Sequence, residues 1–84
     1  MLPAAMVDPE QIKDWIRAGL ACVHLEVRGD GQHFEAVIVS PAFSGKSRVQ
    51  RHQLVYAALG DRMRAEIHAL SMQTYAPEEW ARHG

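Results

Sequence analysis

The sequence predicts a small α+β domain with the order helix, strand, strand, helix, strand, short helix. Three observations predict it. Apolar residues recur at spacings of three and four in two long segments, and they alternate with polar residues in the segments between. A glycine-rich turn joins the first two alternating runs. A strand-helix-strand crossover follows, so the three strands should form one mixed sheet covered by helices.

The first helix is announced by Asp8, Pro9, Glu10 and Gln11. Asp8 can cap free amides, Pro9 suits the first helical position, and Gln11 completes the spacing of a capping box. Ile12, Trp15, Ile16 and Leu20 then form one apolar stripe, with Gly19 placed to end the helix, which is expected over about 9–18. From Val23 the period becomes two: Val23, Leu25 and Val27 alternate with His24, Glu26 and Arg28. Gly29, Asp30 and Gly31 supply a reversal, with His33 beside it, and residues 34–40 return as the second strand.

Pro41 closes that strand. Phe43, Ser44, Gly45, Lys46 and Ser47 form a turn, and Ser47 is placed to cap a second helix over about 48–64. Val49, Tyr56, Leu59 and Met63 are expected as its core stripe, with Gly60 weakening its end without necessarily stopping it. Residues 67–75 alternate again, with Leu70, Met72 and Thr74 in phase, as a third strand. Pro77 opens a last short helix, with Glu78 and Glu79 near its positive end and Trp80 as its apolar anchor. One domain is expected over residues 1–84, its core at about 8–80 and its termini frayed.

At 84 residues and 48% hydrophobic content the core is marginal, since a domain of this size buries only about 60% of its unfolded surface. The formal net charge of −1 argues against a globally basic nucleic-acid binder or an acidic tail. Charge is nevertheless uneven: residues 46–64 hold five Lys or Arg against one acid. The single cysteine, Cys22, precludes an internal disulfide and a cysteine-rich zinc site. With no secretion signal and no run long enough for a membrane span, cytoplasm is the expected compartment. No nucleophile with a base at motif spacing, phosphate loop or dinucleotide fingerprint occurs, so the chain does not read as an enzyme. Ser44 and Ser71 read as ordinary turn and strand serines.

The stretches FSGKSRVQRHQLVYAAL and IHALSMQTYAPEEWA, with the hairpin text GDGQHF, resemble the BolA family, most of all its short proteobacterial toluene-tolerance or acid-stress branch. A Phe-x-Gly turn, an Arg-His pair on the next helix, a His-Ala-Leu strand start and a Pro-Glu-Glu-Trp ending occur in the family's order, and the resemblance runs from the first helix to Trp80. It implies a fold similar to the class II KH domain. The turn comparable to the KH nucleic-acid clamp is Gly45, Lys46, Ser47, Arg48, with one glycine instead of two, which speaks against RNA binding in the KH manner. The resemblance further implies a monothiol glutaredoxin as partner, in a heterodimer holding a glutathione-ligated [2Fe-2S] cluster. Some family members are described as DNA-binding transcriptional regulators.

One thiol and five histidines cannot build an all-cysteine cluster site, so other ligands would be borrowed. No cofactor is expected in the isolated chain, which should be a monomer or weak homodimer. His68 matches the family's ligand histidine, although its parity with Leu70 and Met72 alone would make it a hydrogen-bonded packing residue. His33 is the second candidate, as a loop ligand or as a solvated turn histidine. His24 is expected to be exposed on the first strand, and His83 frayed at the terminus. His52 falls within the expected stripe of the second helix and reads as structural, tying the helix to the sheet through a ring nitrogen. Cys22 reads as inert. Lys46, Arg48 and Arg51 form a basic set, either a solvated face or a surface for phosphate, glutathione carboxylate, an acidic partner or DNA.

Overall fold

A computed structural model describes residues 7–65, 67 and 69–83, without the side chains of 64, 65 and 83. Its elements are α1 (Pro9–Gly19), β1 (His24–Gly29), β2 (His33–Val39), a 3-10 turn (Pro41–Phe43), α2 (Arg48–Leu59), the one-turn α3 (Arg62–Ala65), β3 (Ala69–Tyr75) and α4 (Pro77–His83). The α+β class, the element order and the mixed sheet are as expected. Among the described residues no helix is long and apolar enough to cross a membrane.

Local chemistry sets the first helix. The Asp8 carboxylate accepts from the Glu10 N–H at 3.1 Å, and the Gln11 side chain returns to the Asp8 N–H at 3.0 Å. At the hairpin, the Asp30 carboxylate accepts from the backbone of Gln32 and His33 at 3.0 and 2.9 Å. Gly29 has no room for a side chain, because a Cβ there would overlap the Phe34 ring.

The strands lie in the order β1-β2-β3, β1 antiparallel and β3 parallel to β2. Leu25, Phe34, Ala36 and Ile38 are buried on one face against Ile12 and Ile16 of α1 and Val55 and Leu59 of α2. The opposite face carries Glu26, Arg28, Glu35, Ser71 and Gln73, all exposed. At one end of that face Trp80 of α4 stacks on His24 with centroids 4.8 Å apart and tilts against Tyr75 at 5.3 Å. His24 and Tyr75 flank Val39 in the sheet, and Val39 is fully buried.

Three expectations need correction. The second helix does not reach Arg64: Gly60, with φ +60°, stops it, and Gly60 N–H closes the last turn on Tyr56 O at 2.8 Å. Val49 and Tyr56 are not core, being 64% and 42% exposed; Val55 and Leu59 are buried instead. At 100° per residue the Val49–His52–Tyr56 stripe lies roughly 70° round the helix from the one that packs. Val23 precedes β1 and is 63% exposed, so the inward run starts at Leu25. Helix α4 runs over Pro77–His83.

Candidate functional site

His33 opens β2, is exposed, and shares the helix-free face with Glu35 and Val37 by strand alternation. It borders a shallow depression of about 250 Å³ together with Arg28, Asp30 and Glu35. The two backbone N–H groups, that of His33 foremost, hold the Asp30 carboxyl below its usual range, so the turn presents a fixed anion beside the ring. The Cα partner of His33 across the parallel seam is Ala69. His68, the foremost ligand candidate, lies outside the described residues; Ala69 is its covalent neighbour. Among the described residues no three His, Cys, Asp or Glu converge as a metal site.

Cys22 is half-buried and its thiol donates to Leu20 O at 3.3 Å. Burial pushes the thiol pKa up, with Arg17 opposing, so the thiolate needed for metal binding or attack is disfavoured. His24 is not a free strand residue as expected. Besides stacking on Trp80, its Nε2 lies 2.6 Å from Glu26 Oε2, because α4 folds over the end of the sheet where β1 was expected to face solvent.

The basic set divides. Lys46 and Arg48 are exposed at the start of α2, where Ser47 forms a reciprocal cap with Gln50. Arg51 is not available as a surface cation: its side chain is only 12% exposed and forks onto Glu79, with Nη1–Oε1 2.7 Å and Nη2–Oε2 3.2 Å. It also donates to Thr74 O at 3.1 Å and Lys46 O at 2.9 Å, and lies over the Phe43 ring. One guanidinium thus joins α2, β3 and α4. Its hydrogen bonds, with that from Ala76 N–H, hold the Glu79 carboxyl at about 2.

The tether expected of His52 is therefore made by its neighbour. His52 itself is half-buried in the wall of a cleft, edge-on to Tyr56 at 6.5 Å, and its ring nitrogens have no hydrogen-bond partner among the described residues. The cleft holds about 380 Å³ between Arg48, Arg51 and His52 on α2 and residues 72–75 on β3.

Sequence reasoning also missed Ser40. Wholly buried, its hydroxyl donates to Ala21 O and accepts from Ala42 N–H, while its own N–H donates to Tyr75 O at 3.0 Å. A serine ending a strand just before proline gave no distinguishing signal. Glu79 had one: it stands three residues after Ala76, as an acid that closes half a capping box does.

Residues 16–79, from the last turn of α1 to the start of α4, match the family described as BolA-like protein. The chain belongs to the BolA family. It is 36% identical over 77 residues to acid stress protein IbaG of Escherichia coli K12, covering 90% of this chain and 92% of that one. It is 33% identical over 85 residues to the DNA-binding transcriptional regulator BolA of the same strain, covering 89% and 81%. Among solved structures, a BolA homologue from Coxiella burnetii superposes with a TM-score of 0.82 at 48% identity, over 92% of this chain and all of that one.

Proposed function

We propose that this BolA protein is an adaptor that docks a monothiol glutaredoxin and lends imidazole to a glutathione-bound [2Fe-2S] cluster shared between the two chains. The observation that carries the proposal is the register of the parallel seam. His33 is exposed and paired with Ala69, and covalent connectivity keeps His68 one residue from that partner. His33 thus stands opposite the start of β3, the strand that follows His68 in the sequence. The donor chemistry fits a shared site: His33 offers an exposed ring, Cys22 is a disfavoured thiolate, and the ligands still needed would come from the partner and glutathione.

When bound, the cluster supplies one-electron redox chemistry and transferable iron and sulfide. This chain's share is to hold neutral imidazole at the docking face. Imidazole in place of thiolate raises the potential of such clusters and makes their retention sensitive to acid. Co-expression with a monothiol glutaredoxin should yield a coloured heterodimer whose visible circular dichroism differs from that of the glutaredoxin alone. His68→Ala should remove that difference, and His33→Ala should weaken it, with the far-ultraviolet spectrum of the apo chain unchanged. A heterodimer spectrum indifferent to both substitutions would overturn the proposal.

A second reading, DNA binding, is favoured by the naming of the Escherichia coli relative as a DNA-binding regulator and by exposed Lys46 and Arg48 at the start of α2. With Arg51 matched by Glu79, two permanent cations predict a log affinity that falls with log salt at a slope no steeper than about −2. A salt titration with duplex DNA checks this, and a much steeper slope would mean a larger phosphate-binding surface than this face provides.

A further inference from the structure

We infer that the outer edge of β3, with the cleft beside it, binds an extended segment of another protein in which acidic and apolar residues alternate, by adding it to the sheet as a fourth strand. The site lies on the outer edge of β3, whereas His33 stands on β2, the central strand. It stands on backbone geometry, on an exposed stripe and on charge.

β3 is an edge strand, with β2 on its inner side. Tyr75 O accepts from Ser40 N–H, so the main chain of Tyr75 faces inward. Alternation then turns the main chain of Leu70, Met72 and Thr74 outward. Arg51 gives an independent check, since it reaches Thr74 O from the outer side at 3.1 Å. Among the described residues the outward N–H groups of Leu70, Met72 and Thr74, and the carbonyls of Leu70 and Met72, have no hydrogen-bond partner. Donors and acceptors repeated every second residue, about 6.8 Å apart, are what an incoming strand satisfies.

Beside this edge lies the cleft of about 380 Å³, walled on α2 by Arg48 and His52. Val49 and Tyr56 continue the wall outward as exposed apolar surface. This stripe has the spacing of a core face and does not serve as one. The surface therefore offers backbone, apolar side chains and net positive charge together.

Those features select the occupant. A second copy of this chain pairing β3 to β3 would bring its own Arg48 and Lys46 against the first pair, so like charges oppose self-association. A nucleic-acid strand would meet two permanent cations, because Glu79 neutralises Arg51, and its phosphates could use only the N–H groups of the edge. An acidic, partly apolar peptide uses the N–H groups, the carbonyls, the apolar wall and the cations at once.

The test uses the full apo chain labelled with 15N, without glutaredoxin or iron, so its outcome is independent of the cluster proposal. The probe is an end-blocked octapeptide alternating valine and glutamate. Binding should slow amide exchange at Leu70, Met72 and Thr74, leaving Gln73 and Tyr75, already bonded inward, unchanged. Methylating alternate peptide nitrogens should weaken binding roughly tenfold or more, since it removes backbone hydrogen bonds and little else. Arg48→Glu, at an exposed position, should weaken it comparably, and a valine-lysine octapeptide should bind less tightly than the acidic one. The inference is overturned by absent protection at the three amides, by equal binding of the methylated peptide, or by a ten-residue thymidine oligonucleotide protecting those amides more strongly than the peptide does.

Discussion

Helices α1 and α2 pack against one another on the same face of the sheet and begin with the same reciprocal cap, Asp8 with Gln11 in one and Ser47 with Gln50 in the other. They differ in how their apolar residues are arranged. On α1 a single stripe, Ile12 and Ile16, is buried, with Trp15 packed against it. On α2 there are two: Val55 and Leu59 are buried, while Val49 and Tyr56 lie on a flank that neither the sheet nor α1 covers. Periodicity identifies a face able to pack. Which of two such faces does pack is decided by the neighbour, here a sheet that ends at β3.

The sharpest way to break this contrast is to exchange the roles of the two α2 stripes. Leu59→Ala should cost about 2–5 kcal/mol, measured by urea denaturation, because it empties a fully buried site. A cost near zero would mean that Val55 and Leu59 are not the packing stripe. Next in size, Gly60→Ala should cost about 1–3 kcal/mol, since φ +60° with ψ −139° is a conformation open in practice to glycine alone. A neutral result would show that the helix is able to run on.

Arg51→Met should cost less than Leu59→Ala and more than any surface change on α2, as it frees Glu79 and Thr74 O together. Its pH dependence is the finer test. The Glu79 carboxyl is lowered from 4.5 to about 2 in the fold, so its contribution is present in full above 4.5 and is lost as pH falls towards 2. The stability gap between the native chain and Arg51→Met should therefore narrow over that interval, and a gap constant with pH would remove the ion pair from the explanation.

Asp8→Ala and Ser47→Ala should each cost about 1 kcal/mol, marking the caps as the respect in which the helices are alike. Markedly unequal thermal shifts would deny that likeness. Val49→Ser should change stability by no more than about 0.5 kcal/mol, as expected for an exposed position, while weakening the acidic octapeptide.

What was legible in the sequence was whatever neighbours along the chain determine. Asp8, Pro9 and Gln11 specify a helix start among themselves, the Gly29–Gly31 turn sets the hairpin, and Ser47 is a cap by position. What was hidden depends on residues distant in sequence. Arg51 meets Glu79 and His24 meets Trp80 only after α4 has folded back over the sheet, and no periodicity links such pairs. The same holds for the cleft, whose walls come from α2 and from a strand reached through the crossover. His33 was visible as a turn histidine, whereas its pairing with Ala69 follows from the register of the parallel seam.

That seam also orders events in time. The β1–β2 hairpin joins residues close along the chain, but β3 can align with β2 only after the intervening helix has swung across and a loop of some thirty-odd residues has closed. The hairpin should thus be an early structure and the β2–β3 zipper a late one, with the zipper also the earlier to part when the native state opens. A docking partner that grips its start would act as a latch on the last step of folding.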